Sequence, residues 1–107
     1  MKYSIFINPM SQDSSASKQA YKFMQAIREE EYEHISLFFY SYAVECAFFK
    51  DSLWKTLIHK DISLIACSTI AQDFQQDNKV VHKNFTITGL GQWMESTFDA
   101  DKRIEFI

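Results

Sequence analysis

The chain has 107 residues, 47% of them hydrophobic and 16% aromatic, which is enough for one core and too few for a second domain. We therefore expect a single domain over residues 1–107. Eleven Lys and Arg against 14 Asp and Glu give a net charge of -3, which excludes the basic surface that holds nucleic acid directly. With only 2 Gly and 1 Pro, the chain is neither collagen-like nor Pro-rich, and it lacks the glycine-rich loops that bind nucleotide phosphates.

The two cysteines, Cys46 and Cys67, have neither the spacing of a zinc site nor the number needed for a disulfide framework. No basic and apolar export signal precedes the first predicted strand, and the apolar runs are too short to cross a membrane. We expect a reduced, cytoplasmic protein without a metal, a cofactor or a membrane contact.

The first half of the chain predicts a strand, a helix and a second strand. Residues 2–8 are rich in strand-forming side chains and end at Pro9, which cannot continue a central strand. Asp13 or Ser14 can cap a following helix, whose apolar residues recur at helical spacing: Ala16, Ala20, Phe23 and Ile27. Residues 34–40 are almost continuously apolar, as in a strand covered on both faces.

The next elements lead to the second cysteine. Residues 41–50 have no clear period, and Asp51 then caps a short predicted helix. The apolar positions of that helix are Leu53, Trp54, Leu57 and Ile58. Residues 61–66 predict a third strand that stops at Cys67, and Ser68 is the expected N-cap of the helix that follows.

The last elements are a short extended segment, a helix and a strand. Residues 85–87 are extended, Thr88 caps the helix, and residues 103–107 form the final strand. The apolar face of the helix carries Leu90, Trp93, Met94 and Thr97. Strands that alternate with helices predict a small three-layer α/β/α domain with a mostly parallel sheet of four to five strands.

Cys67 is the residue that best suits chemistry. A thiol between a strand and a helix meets unpaired backbone N–H groups and the positive end of the helix dipole, which stabilise a thiolate. Position alone nevertheless favours a buried structural cysteine, with a nucleophile as the alternative.

Three blocks of sequence carry a resemblance to a known family. They are Leu37-Phe38-Phe39-Tyr40, the apolar strand that runs into Cys67, and residues 84–91, Asn-Phe-Thr-Ile-Thr-Gly-Leu-Gly. With the opening strand and first helix, these blocks make nearly the whole chain similar to the DsrE/TusD family of sulfur-relay proteins. Within that family the chain most resembles the TusD branch.

The resemblance implies the fold described above and a persulfide-bearing cysteine at Cys67. It also implies a heterohexamer with TusB-like and TusC-like subunits, which passes sulfur to a TusE-like acceptor for thiolation of a tRNA wobble uridine. Because a partner carries the sulfur to RNA, this chain needs no direct contact with nucleic acid. The alternatives are a DsrE-type subunit in sulfur oxidation and a non-catalytic assembly subunit of the same fold; a flavin-binding domain is disfavoured because the first loop lacks glycines.

The sequence departs from the family in two ways. The segment between the second strand and Cys67 is shorter than in TusD sequences, which affects any partner contact made there. Cys46 has no counterpart, and it is interpreted as a bystander, with a resolving thiol for Cys67 as the alternative.

Other residues are expected to support the site or the assembly. Ser68 adjoins the cysteine, and topology places Asn8, Ser11 and Gln12 at the same edge of the sheet. The glycines of Thr88-Gly89-Leu90-Gly91 are expected where side chains have little room. Aromatic residues between positions 38 and 49 form either an interface or part of the core. The three histidines, which lack metal-like spacing, are expected at the surface or at sheet edges: His34, His59 and His82.

Overall fold

A computed structural model describes residues 1–107. Its strands are β1 (Lys2–Ile7), β2 (His34–Phe39), β3 (Ile62–Cys67), β4 (Phe85–Thr88) and β5 (Lys102–Phe106). Its α-helices are α1 (Ala16–Ala26), α2 (Ser68–Gln76) and α3 (Leu90–Ser96). Three 3-10 helices complete the connections, at Glu29–Glu31, Ser41–Ala47 and Leu53–Thr56.

The five strands form one parallel sheet in the order β4-β3-β2-β1-β5. This arrangement confirms the predicted α/β class, since each parallel pair requires a crossover that lays helical segments on a face. The chain moves outward from β1 through β4 and then returns to place β5 on the other side of β1. The longest helix has 11 residues, and no helix is long and apolar enough to cross a membrane.

The two faces of the sheet are covered unequally. On one face α1, α2 and the 3-10 segments pack over the sheet; there Trp54 lies edge-on to Phe39, with ring centroids 5.0 Å apart. The other face is covered by α3 alone. From α3, Trp93 stacks on Phe38 at 4.8 Å, and its indole N–H donates to Ser36 Oγ at 2.9 Å.

The aromatic residues from 38 to 49 divide between core and surface. Phe38, Phe39 and Phe48 are buried in the core cluster, so the core interpretation holds for them. Tyr42 and Phe49 are 45% and 48% exposed. Half of the six aromatic residues are therefore buried. Phe38 and Phe39 are buried because β2 is the central strand and is covered on both faces.

The N-caps differ from the predicted ones by one or two residues. They are Cys67 for α2 and Gly89 for α3, in place of Ser68 and Thr88. The N-cap of α1 is Ser15, in place of Asp13 or Ser14, although the Ser14 hydroxyl does accept from the Ala16 N–H at 3.1 Å. Ser52, in place of Asp51, caps the 3-10 helix Leu53–Thr56 and accepts from the Trp54 N–H. Thr88 pairs with Cys67 in the β3–β4 ladder, so its backbone stays extended and α3 begins one residue later than predicted. In contrast, α2 begins one residue earlier than predicted, because Ser68 is already helical directly after Cys67, the last residue of the ladder.

The expectation for the two glycines is also wrong. Neither has a positive φ. A Cβ on Gly91 would meet nothing within 4 Å, and one on Gly89 would meet Ser68 Oγ and Gln92 Oε1 at 3.9 Å, which is ordinary contact. Both positions have room for alanine.

Candidate functional site

Cys67 lies where β3 becomes α2. It is the last residue of β3, it pairs with Thr88 of β4, and it is the N-cap of α2 with an extended backbone (φ -62°, ψ 124°). Its thiol is free, and the residue is only 3% exposed. The predicted corner between strand and helix is therefore present, with the cysteine beneath the surface.

The neighbours of Cys67 come from two strand ends and two helix starts. Ser68 is the first residue of α2, and its hydroxyl lies 3.9 Å from the position that a Cβ on Gly89 would occupy. Thr88 Oγ1 donates to Gln92 Oε1 at 2.7 Å. The Thr88 hydroxyl is thus held by the start of α3, and the Ser68 hydroxyl lies beside Gly89, the N-cap of α3.

Cys46 occupies a different setting on the 3-10 helix Ser41–Ala47. It is half-buried and lines a cavity of about 440 Å³ between this segment and the loop that follows β1. Burial raises the pKa of the Cys46 thiol, and the Glu45 carboxylate adds to this, while a hydrogen bond with Ser17 opposes it. The net effect keeps the thiol protonated, which lowers its nucleophilicity at neutral pH.

The residues predicted to support Cys67 do not all lie near it in the structure. Ser11 and Gln12 line the cavity of Cys46, and Cys67 does not line it. Asn8 lies at the end of β1, where its backbone N–H donates to the Phe106 carbonyl at 2.8 Å. Of the four, only Ser68 adjoins Cys67, because β2 lies between β1 and β3 in the sheet.

The cavity of Cys46 was missed at the level of sequence, although a signal existed. Cys46 follows β2 as Cys67 follows β3, and the carboxyl ends of parallel strands meet at one edge. The position of Cys46 at this edge could not be read from the hydrophobic pattern, because the 3-10 helix that carries it has no clear hydrophobic period.

Each histidine has a hydrogen-bonding partner. His34 Nε2 lies 3.1 Å from Ser63 Oγ, His59 Nε2 lies 2.9 Å from Glu29 Oε1, and His82 Nε2 lies 2.6 Å from the Phe49 carbonyl. No group of three or more His, Cys, Asp or Glu side chains is arranged to hold a metal ion. His34 thus links β2 to β3, and His59 and His82 link segments that connect the strands.

The comparisons with known proteins agree with this fold. The model of the DsrE/DsrF-like family matches residues 1–106, so the chain belongs to that family, which is linked to sulfur transfer. The crystal structure of the YchN protein from E. coli is similar, with a TM-score of 0.75, 19% identity and coverage of 99% of each chain. No curated protein sequence matches the chain.

Proposed function

We propose that this chain is a sulfurtransferase subunit that accepts a sulfane sulfur as a persulfide on Cys67 and passes it to a partner protein. The observation that carries the proposal is the place of Cys67, at the carboxyl end of a parallel strand and at the N-terminus of α2, in a chain of the DsrE/DsrF-like family. Helix N-termini favour negative charge, which is what both a thiolate and a persulfide carry.

The proposed chemistry is thiol exchange in two steps. The Cys67 thiolate attacks the outer sulfur of a donor persulfide, a new S–S bond forms, and the donor leaves as a thiolate. An acceptor thiolate then attacks the outer sulfur of the Cys67 persulfide, and the Cys67 thiolate leaves. The bound sulfur is transferred without net oxidation, so no cofactor is required.

The first turn of α2 supplies the electrostatic support. Its backbone N–H groups have no partners within the helix, and they point toward the N-cap residue. Ser68 adds a hydroxyl at the same point. These donors would stabilise the terminal sulfur of the persulfide as an anion.

The pathway is proposed from the resemblance to the TusD branch. TusB-like and TusC-like subunits would complete a heterohexamer in the cytoplasm, and a TusE-like protein would take the sulfur toward tRNA thiolation. The net charge of -3 suits a subunit that hands sulfur to a partner and does not itself grip RNA.

The burial of Cys67 favours a second candidate function. Because the residue is 3% exposed, a donor reaches the thiol only when neighbouring side chains move. In a non-catalytic assembly subunit of the same fold, such a cysteine would stay buried. The two candidates therefore differ in whether a donor persulfide can reach the Cys67 thiol.

Intact mass after incubation with a small-molecule persulfide separates these candidates. We expect one reducible sulfur atom on the unmodified chain and on the matched control Cys46→Ser, and none on Cys67→Ser. Equal loading of Cys67→Ser would overturn the assignment of Cys67. A complete lack of loading on all three proteins would support the assembly subunit.

A further inference from the structure

The outer edge of β5 is open. β5 is the last strand of the sheet on the side of β1, and the Phe106 carbonyl is directed toward β1, where it accepts from the Asn8 N–H. Backbone groups alternate along a strand, so Arg103 and Glu105 direct their N–H and C=O groups away from the sheet. Such an edge can pair with another strand.

Two opposite charges stand on this edge, two residues apart. Arg103 and Glu105 lie in register with Ser4 and Phe6, on the face of the sheet that α3 covers. Both side chains are exposed, and neither takes part in an ion pair of the chain. Arg103 Nη2 donates to the Thr97 and Phe98 carbonyls at 3.1 and 2.7 Å, which fixes its position without neutralising its charge.

An apolar surface adjoins these charges. Phe98 is 73% exposed and Met94 is 51% exposed. Both line a mainly apolar cavity of about 250 Å³ that also includes Arg103 and Glu105. Exposed apolar surface next to an open strand edge is typical of an interaction site.

We infer that two copies of this chain pair through β5 as antiparallel edge strands, about a two-fold axis at Ile104. In that register, Arg103 of each copy lies opposite Glu105 of the other, so two cross-strand pairs of opposite charge form. The backbone N–H and C=O groups of Arg103 and Glu105 point outward from the sheet. Each Arg103 therefore exchanges backbone hydrogen bonds with Glu105 of the other copy.

The charge pattern selects this register over the alternatives. Parallel pairing in register would set Arg103 against Arg103 and Glu105 against Glu105. Antiparallel pairing centred on either charged residue would set that residue against its own copy. Like charges directly opposite are unfavourable, so the pattern favours one closed dimer over an open array of strands.

The same two-fold axis also brings the apolar surfaces together. The axis is normal to the sheet, which keeps α3 of both copies on one face. Phe98 and Met94 of each copy then flank the junction on that face. This inference concerns a different part of the molecule from Cys67 and does not depend on the sulfur chemistry.

Charge reversal with rescue by mixing tests the pairing. Glu105→Arg gives Arg opposite Arg, and Arg103→Glu gives Glu opposite Glu, so each variant alone should dimerise at least roughly tenfold more weakly. An equal mixture of the two variants restores both opposite-charge pairs, and we expect it to dimerise about as tightly as the unmodified chain. Sedimentation velocity over a range of concentrations measures this.

The control variant is Lys102→Glu, which reverses a charge on β5 at a position opposite Phe106 of the second copy. It should weaken the dimer less than either pair variant, because both Arg103–Glu105 pairs remain in its dimer. The heterodimer that it forms with Glu105→Arg keeps only one opposite-charge pair, so this heterodimer should be weaker than the heterodimer of Glu105→Arg with Arg103→Glu. An unmodified chain that is monomeric at every concentration, or a mixture no tighter than its components, would overturn the inference.

A cross-link tests the axis without altering the contacts of Arg103. Ile104→Cys places two thiols directly opposite each other, at a distance that a disulfide can span. Mild oxidation should give a covalent dimer, while Thr86→Cys, on the other edge strand, should give none. A covalent dimer from Thr86→Cys at the same rate as from Ile104→Cys would contradict the β5 pairing.

Discussion

The two thiols of this chain lie near the carboxyl ends of neighbouring strands, since Cys46 follows β2 and Cys67 ends β3, but their surroundings differ in kind. Cys46, after β2, lies on an irregular segment and lines a cavity of about 440 Å³. Cys67, after β3, is 3% exposed and caps the N-terminus of a nine-residue helix. One thiol has space in front of it, and the other lies at a helix N-terminus but is enclosed.

The difference shows that open space and a helix N-terminus are supplied by separate features of the fold. Partial burial raises the pKa of Cys46, so the thiol that lines the cavity is less nucleophilic at neutral pH than a free cysteine. Cys67 lies at the helix N-terminus but is enclosed by its neighbours. Exposure alone therefore does not identify the thiol that lies at a helix N-terminus in this fold.

The largest expected effect is at Trp54, a core residue that also lines the cavity of Cys46. Trp54 is 2% exposed and packs edge-on against Tyr21 and Phe39 at 5.1 and 5.0 Å. Trp54→Ala should lower the free energy of unfolding by about 3–5 kcal/mol, because it leaves a large gap. Urea denaturation measures the change. The control Leu53→Ala, at a position 53% exposed, should change the free energy of unfolding by less than about 0.5 kcal/mol. Equal losses in the two variants would contradict the core role of Trp54.

A smaller effect is expected at Asn84, which links the segment of Trp54 to the start of β4. Asn84 Nδ2 donates to the Trp54 and Leu57 carbonyls at 2.6 and 3.0 Å. Asn84→Ala should cost about 1–3 kcal/mol, because two carbonyls lose their donor. Chemical denaturation checks this loss, and faster alkylation of Cys46 in the variant would link it to the cavity. Unchanged stability would mean that water replaces the amide at both carbonyls.

On the side of Cys67, the two glycines should respond with opposite signs. Gly91 is inside α3 with nothing near its missing Cβ, so Gly91→Ala should stabilise the chain by about 0.5–1 kcal/mol. Gly89 is the N-cap of α3, a position that alanine disfavours. Gly89→Ala should therefore destabilise the chain by roughly a few tenths of a kcal/mol. Thermal unfolding of the pair measures the contrast. Stabilisation by both substitutions would show that the cap contributes nothing.

The smallest effect concerns the pH dependence of Cys46. Its pKa is raised by burial, so the thiolate fraction at a given pH is lower in the folded chain than in the unfolded chain. In the Cys67→Ser background, the alkylation rate should still be rising with pH above about 8.5, where a free cysteine is half ionised. The same chain in denaturant is the control, and identical pH profiles in the two states would contradict the raised pKa.

The sequence predicted the features that depend on local pattern. The apolar runs at residues 2–8, 34–40 and 61–66 became β1, β2 and β3 within one residue at each end, because long apolar runs in a parallel sheet are buried on both faces. The corner at Cys67 followed from the same pattern. These features needed no knowledge of distant contacts.

Features that depend on pairing between distant segments could not be predicted. The Cys67–Thr88 ladder pair kept the Thr88 backbone extended, and the N-cap of α3 lies one residue later than predicted. Ser11 and Gln12 joined the cavity of Cys46 because β2 separates β1 from β3. The open edge of β5 likewise depends on the strand order, which local periodicity does not contain.

The most direct test of the central claim is to locate the sulfur in the unmodified chain. After incubation with a small-molecule persulfide, free and persulfidated thiols are alkylated, and the peptides containing Cys46 and Cys67 are weighed separately. We predict one additional reducible sulfur on the Cys67 peptide, removed by an acceptor thiol, with the Cys46 peptide unloaded. Sulfur on the Cys46 peptide alone would contradict the account.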